Sequence, residues 1–410
     1  MKKAAWLLPS FLEGSGGHRT IFQNIQVLAD NGFEVDVYVE KNGTIFSDDE
    51  LKRQVKKFFG EYDCTLILGF NNIKSEYDVI FATAWFTAKI VRDIPGKAKK
   101  VYFVQDFEAL FNPMGDGYLM AVNSYRYGLS PITIGRWLSN KMEKEFHAHS
   151  HFFDFCADTS IYHELQNSKK ENAICFVYQP EKPRRCNRIG IEALGILKAL
   201  RPDVKIYLYG SKEKGDVWFE HENLGIISLE KCNALYNKCA VGLCLSSSNP
   251  SRIPFEMMAA GLPVVDLYLD NNLYDMPSDS ILLAQPTPES IATALLRLID
   301  NEDLRTAMSS AGIDYMKDRA LKKGYSQFSE AVMSILSDEE QKKQEIEKIY
   351  TKDEVIADVF LQSIPKQNNL IFPKNKKNVI QKLKSIKFFQ NSRLAHKVWR
   401  GLKKIKRGGK

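Results

Sequence analysis

The chain has 410 residues, 44% hydrophobic and 11% aromatic, which exceeds what one ordinary core needs and predicts two domains with additions. No run of about 18 apolar residues occurs, which excludes a helical membrane span. The seven cysteines (Cys64, Cys156, Cys175, Cys186, Cys232, Cys239, Cys244) are odd in number and lack paired metal-ligand spacing, so neither a disulfide framework nor a zinc site is expected and a reducing cytoplasm fits better. Charge is unevenly placed: 15 Lys and Arg follow Asp358 with no acid among them, leaving 42 bases against 50 acids in the rest. An acidic body with a basic tail points to an anionic partner for the tail.

The opening MKKAAWLLPS has an apolar stretch too short for a leader and interrupted by Pro9, so it reads as a first buried strand. AAWLLPS, VDVYVE, CTLILGF, DVIFATAW and KKVYFVQD then read as strands, with TIFQNIQVLADNG between the first two at helical spacing and stopped by Asn31-Gly32. The pattern restarts at NAICFVYQP, followed by helical RIGIEALGILKAL, the strand VKIYLYG, helical LEKCNALYNKC, the strand VGLCLS, a helix around IPFEMMAAG and the strand LPVVDL. ESIATALLRLID and NEDLRTAMSSAGIDYMKD read as closing helices, and a helix around 321–338 is placed to cross back. Such alternation predicts α/β with parallel βαβ units in two doubly wound halves: 1–170, 171–320, a crossing-back helix over 321–340, and a linker with tail over 341–410. Two such halves leave a cleft at the carboxyl ends of both sheets, where ligands bind.

Two segments carry chemistry. In GSGGH, Gly16 and Gly17 allow close backbone approach at a helix N-terminus suited to phosphate, with His18 beside them. A nicotinamide site and a purely structural turn are the alternatives there. In SSSNPSRIPFEMMAAGLPVV, a strand ends in Ser246 to Ser248, a turn follows, and Glu256 stands in the first turn of a helix, where a carboxylate can accept hydrogen bonds from ribose hydroxyls. A plain helix-capping glutamate is the alternative.

The run from Ser246 to Val265 resembles the nucleotide-sugar site of retaining GT-B glycosyltransferases of the family 4 type, and is especially similar to bacterial rhamnosyltransferases of surface-polysaccharide assembly. The resemblance implies a GT-B fold of two Rossmann-like domains and a ribose-gripping role for Glu256. Ser248 stands where many relatives carry a second glutamate; Asn249-Pro250-Ser251 resembles the turn of the rhamnosyltransferase branch. VQDFE resembles that branch's signature, with Gln105 where broader relatives place a histidine, followed by Asp106 and Glu108; FATAWFTA, with Thr83 and Trp85, also looks like it. VYQPEKPRR resembles the hinge whose arginine meets the donor diphosphate, pointing to Arg184, with Arg185 in reserve. The implied donor-binding set is Gly16, Gly17, His18, Arg184, Arg185, Gly210, Asn249, Ser251 and Glu256. Gln105, Asp106, Glu108 and Arg184 form the implied catalytic set, with Asp106 or Glu108 positioning the acceptor hydroxyl.

The expected reaction is transfer of a sugar, best read as L-rhamnose from dTDP-rhamnose, with retention onto a lipid-linked or cell-surface glycan. A non-catalytic GT-B subunit of an assembly complex is the alternative. No cofactor or metal is implied, because arginines and helix-start N–H groups can hold the diphosphate leaving group. In the tail, Leu394, Val398, Leu402 and Ile405 share a helical face with Trp399 at its edge, ringed by Lys and Arg. Residues 378–410 therefore read as an anchor to an anionic membrane surface at the inner face of the cell membrane, and not as a nucleic-acid site.

Overall fold

The computed structural model describes residues 1–358 apart from Leu12, Asn167, Lys214 and residues 339–344. The tail expectation over 378–410 lies outside the described residues. The N-terminal half runs β1 (Lys2–Leu8), α1 (Gly16–Asp30), β2 (Phe33–Val39), α2 (Asp48–Phe58), β3 (Thr65–Leu68), β4 (Val79–Ala82), α3 (Trp85–Asp93), β5 (Lys99–Val104), a 3-10 turn (Glu108–Phe111), α4 (Asp116–Ser124), β6 (Ser130–Ile134), α5 (Arg136–Phe146) and β7 (His151–Phe153). Its strands form one parallel sheet in the order β3-β2-β1-β4-β5-β6-β7.

The second half runs β8 (Ala173–Val177), a 3-10 turn (Pro183–Arg185), α6 (Asn187–Leu200), β9 (Lys205–Tyr209), β10 (Glu222–Asn223), α7 (Leu229–Lys238), β11 (Val241–Leu243), α8 (Ile253–Ala259), β12 (Val264–Leu267), α9 (Asp270–Leu273), β13 (Ile281–Ala284), α10 (Pro288–Asp300), α11 (Glu302–Met316) and α12 (Leu321–Ser337). These strands form a second parallel sheet in the order β10-β9-β8-β11-β12-β13.

Strands β4, β8 and β12 are buried along their whole length. Covered on both faces, they read as continuous apolar runs and not as alternation. Helix starts carry the expected caps: Ser15, Ser47, Ser228, Thr287 and Asn301 each accept a backbone N–H of the first turn.

The N-terminal core centres on Trp6, which stacks on Phe81 (ring centroids 4.1 Å) and meets Phe103 edge-on at 5.3 Å. Helix α12 closes this core although it follows the second sheet. Its buried Phe328, Ala331, Val332 and Ile335 recur at helical spacing, and Phe328 lies 5.8 Å from Phe103. Residues 154–172 join the sheets; there Phe155 stacks on Phe255 of α8 (4.8 Å), and buried Asp154 pairs with Arg136 (3.0 Å), Arg319 (3.4 Å) and Lys323 (3.1 Å).

Several elements depart from the sequence reading. β6, β7, β10 and β13 were not anticipated: β6 begins Ser130-Pro131, a proline that argues against an inner strand, and the others have two to four residues. Part of the expected connector also differs. Val355 bridges β13, donating to Leu283 O (2.8 Å) while its carbonyl accepts from Gln285 (3.0 Å), and Tyr350 Oη accepts from Leu283 N (3.2 Å). The outer edge of β13 offers unpaired backbone groups, and this stretch covers them.

Candidate functional site

Strand order reverses between β1 and β4 in the first sheet and between β8 and β11 in the second. At such switch points the following loops diverge to opposite faces and leave a crevice at the carboxyl ends. The loops concerned carry Gly14 to Gly17 after β1, Thr83 to Trp85 after β4, the two arginines after β8 and the serine run after β11. Gln105 and Asp106 follow the neighbouring β5.

Asp106 stands at the centre. Its Oδ2 lies 3.6 Å from Arg184 Nε, an ion pair too long for a hydrogen bond, and Ser248 lies close to its carboxylate. Burial raises its pKa above the ordinary carboxylate value, although Arg184, Ser248 and Arg185 oppose the shift. The Arg184 guanidinium lies 4.3 Å above the ring of Phe111, and burial lowers its pKa. Arg185 Nη1 donates to Ser246 Oγ (3.0 Å).

Three successive serines thus line the site. Ser246 meets the Arg185 side chain, Ser247 donates through N (3.2 Å) and Oγ (3.1 Å) to the Arg184 carbonyl, and Ser248 stands beside Asp106 of the opposite domain. Asn249 continues the bridging: its Nδ2 donates to Gln105 O (2.9 Å). Asp106 Oδ1, Arg184 Nε, Arg185 Nε and Asn249 Oδ1 are buried with no hydrogen-bond partner. Four such atoms around one cleft suit a polar, charged ligand.

Glu108 is placed differently. Its Oε2 accepts the Trp85 N–H at the start of α3 (2.7 Å), and its own N–H donates to Tyr125 Oη (2.9 Å). Burial, with the Asp106 charge adding, pushes its pKa up to about 8. It caps a helix inside the N-terminal domain, whereas Asp106 faces the arginines.

Glu256, in the first turn of α8, has Tyr162, Arg252 and Arg19 nearby; burial raises its pKa. Ser251 Oγ accepts from Ile253 N (3.3 Å) at that helix start. Gly17 faces the cleft, since a Cβ there would lie 3.7 Å from the Gln105 amide, while Gly16 is exposed beside it. His18 turns away from that role: Ser15 Oγ meets its Nδ1 (2.8 Å), Pro9 O its Nε2 (3.3 Å), and its ring packs between Phe11 and Phe59. Gly210 (φ +107) ends β9, its carbonyl accepting from Gln179 (3.1 Å) on the loop that leads to the arginines.

Residues outside the sequence reading complete the cleft. Arg252 Nη1 donates to Thr20 Oγ1 (2.9 Å) and Gln23 Oε1 (3.1 Å) of α1 in the opposite domain. Asp275 caps α5 across the domains, accepting from Arg136 N (2.8 Å) and Trp137 N (3.1 Å), and burial pushes its pKa up to about 6. Gly135 precedes that helix with φ +84; a Cβ would fall 2.4 Å from the Phe155 ring and 3.0 Å from Asp275. No local motif marks the contacts of Arg252 and Asp275, whose members lie over 100 positions apart. Among the described residues no group of three or more His, Cys, Asp or Glu could hold a metal ion, and no helix is long and apolar enough to cross a membrane.

Two parallel-sheet Rossmann-like domains facing a cleft, crossed back by a final helix, define the GT-B fold. Sucrose-phosphate synthase from Thermosynechococcus elongatus superposes with a TM-score of 0.65 at 13% identity, covering 83% of this chain and 100% of that one. HepE from Anabaena, solved in complex with UDP-glucose, gives 0.61 at 15%, covering 80% and 99%. Residues 172–296 match the model of the C-terminal domain of WsaF. The chain is also 26% identical over 321 residues to the O-antigen biosynthesis protein RfbC of Myxococcus xanthus, covering 76% of this chain and 25% of RfbC. It therefore spans about a quarter of the length of that relative.

Proposed function

We propose that the protein is a glycosyltransferase of surface-polysaccharide assembly, taking its sugar from a nucleoside diphosphate donor. The observation that carries this reading is the meeting of Arg184, Arg185 and Asp106 across the cleft, with buried polar atoms of all three unpartnered. The likeness to an O-antigen biosynthesis protein and to a fold-mate solved with UDP-glucose supports it.

Breaking the anomeric C–O bond puts negative charge on the departing diphosphate and positive charge on the sugar ring. Arg184 and Arg185 are placed to take up the former, in a partly buried site where such contacts are stronger than in open water. An arriving diphosphate competes with Asp106 for Arg184. Asp106 is then released towards the sugar ring or the acceptor hydroxyl. Glu256, in the first turn of α8, grips the ribose.

The donor is dTDP-rhamnose and the transfer retains anomeric configuration, both readings supported by the similarity of VQDFE and SSSNPS to rhamnosyltransferases. The acceptor is a glycan carried on a lipid. Its support is an apolar lip beside the cleft: Leu110, Phe111, Met114, Leu119 and Met120 are 42–76% exposed, and Phe111 touches Arg184. Thermal-shift measurement against UDP-, dTDP- and GDP-sugars tests the donor, since a ligand of the native state raises the melting temperature. A rise with dTDP-rhamnose above all others is expected, and NMR of the product anomer then reads retention. No shift with any nucleotide sugar would remove the glycosyltransferase reading.

A further inference from the structure

Asp266 lies on β12, fully buried, one strand away from the serine run. Its Oδ1 accepts two backbone N–H groups, from Ser246 (2.8 Å) and from Leu267 (2.7 Å). The Ser246 carbonyl is held from the other side by Asn271 Nδ2 (3.1 Å), so both backbone groups of Ser246 are tied. The Ser246 hydroxyl, pinned in this way, receives Arg185 Nη1. A continuous chain of hydrogen bonds therefore runs from the floor of the second sheet to the guanidinium at the cleft.

We propose that Asp266 is a positioning residue of the anion site: by fixing Ser246 it sets the place of the Arg185 guanidinium that receives a nucleoside diphosphate. This rests on the donor reading above and adds to it what holds the arginine. An arginine side chain has many rotamers, and ordering one on binding weakens affinity. Holding Arg185 before the ligand arrives removes that cost. Ordinarily a carboxylate behind an arginine would oppose an incoming anion. Burial pushes the Asp266 pKa up to about 8, so near neutral pH it is mostly protonated and accepts the two N–H groups without adding a negative charge. Its unpartnered Oδ2 is the oxygen left to carry that proton.

The test is calorimetric titration of the full-length protein with UDP, dTDP and GDP, with the melting temperature of each variant recorded alongside. Asp266→Ala is expected to weaken the tightest of the three about 10-fold. Asp266→Asn, which keeps a neutral acceptor, should restore most of that loss. In an Arg185→Ala background Asp266→Ala should add almost nothing, because positioning an absent side chain has no value. If Asp266→Ala does not fold, Ser246→Ala cuts the same chain one link later and is read in the same two backgrounds. Unchanged affinity in the single variants, or an equal loss with and without Arg185, overturns the role of Asp266 while leaving the donor reading intact. Failure of the wild-type protein to bind any of the three overturns both.

Discussion

Glu108 keeps its proton up to about pH 8 in the folded protein, against a value near 4.3 for an unperturbed glutamate. Between those values the folded state binds one proton more than the unfolded chain. Stability from this group is therefore fully present at low pH and falls as pH rises through the window, by about 1.4 kcal/mol per unit, before levelling off. Asp266 acts in the same direction up to about 8, and Asp275 up to about 6. Asp36 and Asp154, whose values are lowered, act oppositely, and only in more acidic solution. His18 and His151, whose values burial lowers, act oppositely up to about pH 6.5, so the melting temperature should fall between about pH 6.5 and pH 8, and Glu108→Gln should make that fall shallower. Equal slopes for the two proteins would show that Glu108 ionises freely and is not shut away from water as described here. Its sequence neighbour Asp106 could not have been told apart from it beforehand. Both stand two positions apart after one strand, and only the contacts of Trp85 and Arg184 assign one to a helix start and the other to the cleft.

At the scale of elements, the 3-10 turn and α4 turn an apolar surface outwards beside the cleft, while Tyr125 at the end of α4 stacks inwards on Tyr102 and Phe107. If that lip carries the apolar part of a lipid-linked acceptor, polar substitutions far from the arginines should spare the donor site. The combined Met114→Ser, Leu119→Ser and Met120→Ser variant is expected to lose about 10-fold in kcat/KM on a lipid-linked acceptor, through removal of apolar contact area. Turnover of a soluble acceptor analogue should be preserved. An equal loss on both acceptors would assign the lip to the fold and not to substrate. Element legibility followed length. The long βαβ units of both halves were readable because each apolar run ends in turn residues. Short β7, β10 and β13 have too few residues to show a period, and the stretch around Val355 becomes ordered only because an open sheet edge lies beside it.

For the whole molecule, charge separates an acidic body from a tail bearing 15 Lys and Arg. The proposed anchoring role of 378–410 concerns residues outside those described, so it rests on sequence alone. Each basic residue near an anionic bilayer contributes about 1 kcal/mol, and an apolar stripe adds insertion energy that salt does not screen. Deleting 378–410 should abolish co-sedimentation with anionic vesicles and leave nucleotide-sugar binding unchanged. Pelleting as complete as that of the intact chain would end the anchor proposal.

By itself the sequence determined the two α/β halves, the crevice at their carboxyl ends and the residue types gathered there. The halves and the crevice follow from local rules, apolar period and turn residues, and the candidate residues from the resemblance of their motifs. Only the tertiary structure decided which residues meet. It brought Asn249 onto the Gln105 carbonyl, Arg252 onto α1, Asp275 onto the start of α5 and Asp266 beneath Ser246. Most of these contacts join residues separated by more than 100 positions. A hydrogen bond between strangers in sequence leaves no periodic trace, because its partners are selected by the geometry of packed sheets and not by their neighbours along the chain.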